Sequence, residues 1–171
     1  MFCVKCGGEV KNINLDGDNF ARDICIRCGN IHYINPKIIV GSLPVLNDKV
    51  LLCKRSIHPG HGKWTIPSGY MEMGESLEDG AKRESHEEAN LKLEMIMLYG
   101  NYSIPKLGQV LFVFLGRIKN DNFSAAAETL EVKLFKLEDI PWQKIAFPSV
   151  SFFLNRYVEE YKAGKIFQYH S

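Results

Sequence analysis

Residues 69–91 run Gly-Tyr-Met-Glu-Met-Gly-Glu-Ser-Leu-Glu-Asp-Gly-Ala-Lys-Arg-Glu-Ser-His-Glu-Glu-Ala-Asn-Leu, and no other stretch limits the fold as tightly. Ser76 followed by Asp79 predicts a helix N-cap with its capping partner, and a helix from about Leu77 to Ala89 follows. On that helix Glu84, Glu87 and Glu88 stand at i, i+3 and i+4, which puts three carboxylates on one face. Like charges this close destabilise an isolated helix. A bound cation offsets the repulsion, and an all-oxygen donor set suits Mg²⁺ or Mn²⁺ rather than zinc. The bland alternative is a solvated, charged helix face. Arg83 is placed to pair with Glu75, which precedes the helix, and so to brace the loop.

The whole stretch resembles the signature of the Nudix hydrolases: Gly, five residues, Glu, seven residues, Arg-Glu, an apolar residue, any residue, Glu-Glu, any residue, Gly, an apolar residue. Gly69, Glu75, Arg83, Glu84, Glu87, Glu88 and Leu91 fall on it. Two positions depart. Ser85 takes an apolar slot, where packing against a bulkier neighbour is expected. Asn90 replaces the final Gly, and Asn is the next-best residue at a left-handed helix C-cap. Every charged position is kept, so the resemblance implies an active enzyme.

Two Cys-x-x-Cys-Gly turns open the chain, Cys3-Val-Lys-Cys6-Gly7 and Cys25-Ile-Arg-Cys28-Gly29. Each Gly permits the tight turn that aims backbone N–H groups at the sulfurs. Four thiolates at this spacing match a tetrahedral structural Zn²⁺ with no open coordination position. Two disulfides are the competing reading and fit poorly with a cytoplasmic chain. So short a segment cannot bury enough core alone, so the metal would supply its folding energy. Lys5, Lys11, Arg22 and Arg27 are balanced by Glu9, Asp16, Asp18 and Asp23, which favours a structural or dimer-forming role over a nucleic-acid clamp.

The remaining chain reads as a mixed α/β domain. Residues 37–46 and 49–55 predict a hairpin turned at Asn47-Asp48, with Cys53 as a buried strand residue. Residues 56–63 form a loop holding His58 and His61, which are solvated or functional. Arg55, at the strand end beside it, has the geometry to contact a diphosphate bidentately. No phosphate loop exists at Gly62-Lys63, because Trp64 follows and the partner Gly is missing. Strands are expected over 92–102, 110–118 and 129–137, and a polar loop over 120–127. Residues 148–163 predict an amphipathic helix with Val150, Phe153, Leu154, Tyr157, Val158 and Tyr161 on one face, read as core. The expected architecture is an α/β/α sandwich around a mixed sheet at 35–171, preceded by a zinc ribbon at 1–34.

A net charge of +1 offers no electrostatic case for nucleic acid or membrane partners. No apolar run approaches a membrane span and no signal-peptide pattern opens the chain, so a cytoplasmic location is the expectation.

The resemblance extends beyond the signature. The ribbon, Asn35-Pro36-Lys37, Leu51-Leu-Cys53-Lys-Arg55, Gly62-Lys-Trp64, Ile104-Pro105, Gly108-Gln109 and Leu134-Phe135 are similar to the zinc-ribbon Nudix group that includes the plant chloroplast FAD pyrophosphatase. It implies a homodimer that hydrolyses a dinucleotide diphosphate, FAD or ADP-ribose, releasing AMP. It also implies the Ser68 carbonyl as a further metal ligand and a later glutamate as a proton acceptor, Glu128 or its rival Glu131, unless Glu84 or Glu88 serves. Arg55 and Gln109 are the expected substrate contacts, and Trp64 and Phe112 are aromatic faces read as core. Pro105, fourteen residues past the signature, lies near where ADP-ribose hydrolases place a proline. NADH pyrophosphatases and NAD-decapping enzymes also carry zinc ribbons, but their Ser-Gln-Pro-Trp-Pro-Phe-Pro-type run is absent. A nucleotide-sensing regulator would be signalled by loss of a signature glutamate, and none is lost.

Overall fold

The computed structural model describes residues 1–119, 122–126 and 128–166; residues 120, 121 and 127 of the expected polar loop lie outside them. Contacts divide the chain into two compact units, Met1–Pro36 and Lys37 onward.

In the first unit, β1 (Val10–Asn14) pairs antiparallel with β2 (Ala21–Cys25), and β2 pairs with β3 (Ile31–His32). The two knuckles precede β1 and follow β2. Gly7 and Gly29 take left-handed φ values of 70° and 69°, and their N–H groups donate to the carbonyls of Cys3 and Cys25. Gly8 is required for space, since a Cβ there would lie 2.8 Å from the Arg27 Cβ and 3.1 Å from the Cys25 Sγ.

The second unit holds β4 (Lys37–Leu46), β5 (Lys49–Arg55), β6 (Trp64–Thr65), β7 (Ser68–Tyr70), α1 (Leu77–Ala89), β8 (Leu93–Ile104), β9 (Gln109–Ile118), β10 (Thr129–Lys136) and α2 (Pro148–Lys162). The sheet order is β10-β5-β4-β9-β8, with β6 on β5 and β7 on β4. β4 and β9 run parallel and the other pairs antiparallel, so the sheet is mixed. The two short strands were not visible as strands in the sequence. They arise because β4 and β5 pair only beside their turn, at Val45↔Val50 and Leu46↔Lys49. Beyond it the strands part. β5 takes Trp64 and Thr65, and β4 takes Ser68, Gly69 and Tyr70. The opening between β4 and β5 thereby receives the segment that leads into α1. Gly41 permits the approach, since a Cβ there would lie 2.6 Å from the Ser68 Cβ and 2.7 Å from the Pro67 carbonyl oxygen.

Strand alternation sorts side chains to the two faces. Leu43, Val45, Val50, Leu52, Leu111, Val113 and Leu115 join Val150, Phe153, Leu154 and Tyr157 of α2 in the main core. Each such side chain contributes about 1.5–3 kcal/mol by burial. Val40, Leu51, Cys53, Phe114 and Ile118 point the other way, toward Ala81 and Ala89 of α1 and Leu91. Helices therefore cover both faces, as the patterning predicts.

Ser85 stands where the family signature carries an apolar residue. It is fully buried, its hydroxyl donates to the Ala81 carbonyl at 2.6 Å, and the Ser42 hydroxyl donates to it at 2.7 Å. A hydroxyl pair from α1 and β4 satisfies itself inside the helix–sheet interface, so neither polar group is left unpaired.

Candidate active site

Local rules build the helix that carries the site. The Ser76 hydroxyl accepts from the Asp79 N–H at 3.1 Å and donates to the Asp79 carboxylate at 2.6 Å. Glu78 and Asp79 lie in the first turn, where the helix dipole favours acids. Asn90 closes the helix at φ 52°, ψ 26°, the left-handed cap expected of it.

Arg83 organises the loop. Its Nε and Nη2 donate to Glu75 at 3.0 and 2.8 Å, its Nη2 also to the Tyr70 carbonyl at 3.0 Å, and its Nη1 to Glu84 and Glu87. The Glu75 carboxylate accepts from the Glu72 N–H as well. The Arg83 guanidinium and this N–H hold the Glu75 carboxyl down at about 2.

The three signature glutamates are not equivalent. Glu84 and Glu88 are buried, 8% and 7% exposed, whereas Glu87 is exposed and held by Arg83. The Glu84 carboxylate fills the ground where a Cβ on residue 69 would have to lie, which explains the glycine that opens the stretch. The Ser68 backbone N–H favours the ionised form of Glu88, yet the Glu88 Oε2 is buried without a partner. Burial, reinforced by the neighbouring Glu84 charge, raises the Glu88 carboxyl to about 8, while Arg55 pulls the other way. Burial also raises Glu84, opposed by Arg83. An orphaned carboxylate oxygen beside a second buried carboxylate is a donor set that fits a divalent cation.

The expected outer residues gather unevenly. Glu128 is exposed, but its charge reaches both Glu84 and Glu88. Its carbonyl accepts from the Ser56 N–H, which fixes it beside the end of β5. Glu131 is instead ion-paired with Lys54 at 3.4 Å. The Arg55 Nε donates to the Pro59 carbonyl at 2.8 Å, and its guanidinium lies 5.1 Å over the Phe147 ring. His58 and His61 stack in the same loop, ring centres 5.7 Å apart, and both are exposed. The Gln109 amide donates to the Tyr70 hydroxyl at 2.9 Å, and Lys37 stands 5.2 Å over the Tyr70 ring. The sequence reading missed Tyr70, which links the Arg83 brace to Gln109. An aromatic residue directly after the signature Gly was the available signal. Trp64 is buried edge-on against Phe135, as core.

In the ribbon, the Sγ atoms of Cys3, Cys6, Cys25 and Cys28 all lie within 4.8 Å of one another, with Cys3–Cys28 at 3.8 Å and Cys6–Cys25 at 3.5 Å. A zinc ion about 2.3 Å from each corner of a sulfur tetrahedron needs sulfurs about 3.8 Å apart. The backbone N–H groups of Cys28 and Arg27 help lower the Cys25 thiol, toward the thiolate a metal needs, while hydrogen bonds with Cys28 and Cys25 push the neighbouring Cys6 thiol up. Among the described residues this is the one cluster of three or more candidate ligands. The three glutamates are less closely gathered, with Arg83 standing between Glu84 and Glu87.

Comparison with known proteins agrees with this geometry. Residues 35–153 match the NUDIX domain model, and residues 1–34 match the Nudix N-terminal model, a zinc ribbon. An ADP-ribose pyrophosphatase from Methanocaldococcus jannaschii is 30% identical over 85% of this chain and 88% of its own length. An NAD-capped RNA hydrolase NudC from Vibrio parahaemolyticus is also 30% identical, over 82% of this chain, but the match spans about half (52%) of the relative. The crystal structure of a NUDIX hydrolase from Nitrosomonas europaea superposes with a TM-score of 0.92 at 48% identity, covering 96% of this chain and 93% of that one. A signature with every charged position kept, on a helix that buries Glu84 and Glu88, a four-cysteine ribbon and these relatives place the chain among the Nudix hydrolases.

Proposed function

We propose that the protein hydrolyses the diphosphate of an adenosine-containing dinucleotide, ADP-ribose or FAD, and releases AMP. The observation that carries the reading is a group of carboxylates, buried Glu84 and Glu88 with exposed Glu128, whose repulsion the cationic Arg55 opposes at Glu88. The similarity to an ADP-ribose pyrophosphatase over nearly its whole length supports the substrate class. The FAD alternative rests on the sequence resemblance described above.

Glu84, Glu87, Glu88 and the Ser68 carbonyl would hold Mg²⁺ or Mn²⁺. An ion held there would supply charge neutralisation to the diphosphate and lower the pKa of the attacking water. Everything else falls to the chain. Gly69 leaves room for the Glu84 carboxylate, and the Ser68 N–H favours the ionised form of Glu88. The Arg83–Glu75 brace keeps the loop in register with α1. Arg55 meets the diphosphate oxygens, and Gln109, steadied by Tyr70, meets the sugar or base. Glu128 accepts the proton of the attacking water. A new P–O bond forms to that water as the bridging P–O bond breaks, yielding AMP with ribose 5-phosphate or FMN.

The test is a substrate panel of ADP-ribose, FAD, NADH and the nucleoside triphosphates, with Mg²⁺ or Mn²⁺. ADP-ribose or FAD is expected to give the highest kcat/KM, with AMP as product. Faster release of inorganic diphosphate from a triphosphate would overturn the assignment. A higher kcat/KM for NADH would favour the second reading, an NADH or NAD-cap hydrolase. That reading has the NudC relatives in its favour and the absent proline-rich run against it.

A further inference from the structure

α1 ends on Asn90, where the family signature has glycine. The left-handed backbone there would suit glycine at less cost, so conformation alone does not explain an amide. The side chain does further work. Its Nδ2 donates to the Ser124 hydroxyl at 2.8 Å and lies 3.5 Å from the Ser124 carbonyl oxygen.

Ser124 belongs to the segment that approaches Glu128. The backbone of that segment is tied to the same end of α1: the Ser124 N–H donates to the Ala89 carbonyl at 3.0 Å, and the Ala126 N–H to the Glu88 carbonyl at 3.3 Å. Phe123 packs against the cluster of Leu51, Cys53, Ala89, Leu91 and Ile118. The Thr129 N–H then closes on the Ala126 carbonyl at 2.8 Å, and β10 begins only at Thr129. Glu128 thus lies just outside the regular ladder, between an anchor on Ser56 and an anchor on the end of α1. The Asn90 amide is the side-chain part of the second anchor.

We propose that Asn90 is a positioning residue for the hydrolysis: its hook on Ser124 locks the segment before β10 to the helix bearing the metal glutamates, and so sets Glu128 at the distance proton transfer needs. The hook ties both groups to one rigid element, so base and metal ligands move together. The catalytic consequence rests on the reading of Glu128 as proton acceptor.

The test begins with Asn90→Gly, which keeps the left-handed cap and removes only the amide. Because a 1 Å misplacement can cost about a hundredfold, kcat is expected to fall about tenfold while KM stays within about twofold. Hydrogen exchange should speed up across residues 122–126 and stay unchanged in the middle of α1. Ser124→Ala should reproduce both effects, and Ser124→Thr, which keeps the hydroxyl, should restore both. In a Glu128→Gln background, Asn90→Gly should cause no further loss of kcat. The latch is refuted if Asn90→Gly leaves exchange of the segment unchanged. Its catalytic role is refuted if kcat is retained, or if the Asn90 and Glu128 losses multiply. A Glu128→Gln enzyme with undiminished kcat would sink the assignment of the proton acceptor and with it the catalytic consequence, while exchange still reports on the latch itself.

Discussion

Glu88→Gln is expected to lower kcat by about three orders of magnitude or more without unfolding the protein. The side chain is 7% exposed, its Oε2 has no partner, and its carboxyl is raised to about 8 by burial and the Glu84 charge. Such a group is costly to keep ionised unless a cation meets it. Glutamine keeps the shape but removes the charge, so the metal site loses a strong ligand. A thousandfold loss corresponds to about 4 kcal/mol of transition-state stabilisation, within what a catalytic ion supplies. The stability effect runs in the opposite direction. A neutral amide relieves the desolvation of a buried carboxylate, so the melting temperature in chelator should equal or exceed that of wild type above neutral pH. A variant with kcat within tenfold of wild type would remove Glu88 from the metal site.

The second large effect belongs to the ribbon. Cys6→Ser removes one corner of a sulfur cluster whose closest separations, 3.5 and 3.8 Å, fit a zinc tetrahedron. The first unit has a three-stranded sheet and many exposed apolar side chains, among them Phe2, Val4, Phe20 and Ile34, so it lacks a core of its own. Structural zinc contributes about 10–16 kcal/mol in comparable small domains. Metal analysis should find about one zinc per wild-type chain that survives dialysis sufficient to strip Mg²⁺. The variant should lose that zinc, and residues 1–36 should become protease-sensitive while the second unit keeps its helical signal. An unchanged melting curve with zinc retained would contradict a structural zinc site.

The legible parts of this chain were those governed by local rules. Ser76, Asp79 and Asn90 mark both ends of α1 because capping is decided within a few residues. β4 and β5 follow from apolar runs on either side of the Asn47-Asp48 turn, and α2 from a period-3.6 pattern. The two-residue β6 and three-residue β7 were invisible because they exist only where β4 and β5 diverge, a property of the assembled sheet. The Ser42–Ser85 pair was missed for the same reason: residues forty-three apart in sequence satisfy each other only across the helix–sheet interface. In the site, the signature fixed which glutamates to examine, but not that Arg83 would hold Glu84 and Glu87 while Glu88 stays buried. Glu128 and Glu131 are separated by environment, not by sequence, since Lys54 engages the second and the first influences both buried carboxylates.

The central claim is that a dinucleotide diphosphate is split by water with AMP as one product. Hydrolysis of ADP-ribose in ¹⁸O-water with Mg²⁺, followed by mass spectrometry of both products, tests it most directly. The account predicts AMP and ribose 5-phosphate in equal amounts, with a single ¹⁸O on one of the two phosphates and none on the other. Release of inorganic phosphate or diphosphate, label on both products, or intact ADP-ribose alongside rapid triphosphate hydrolysis would contradict it.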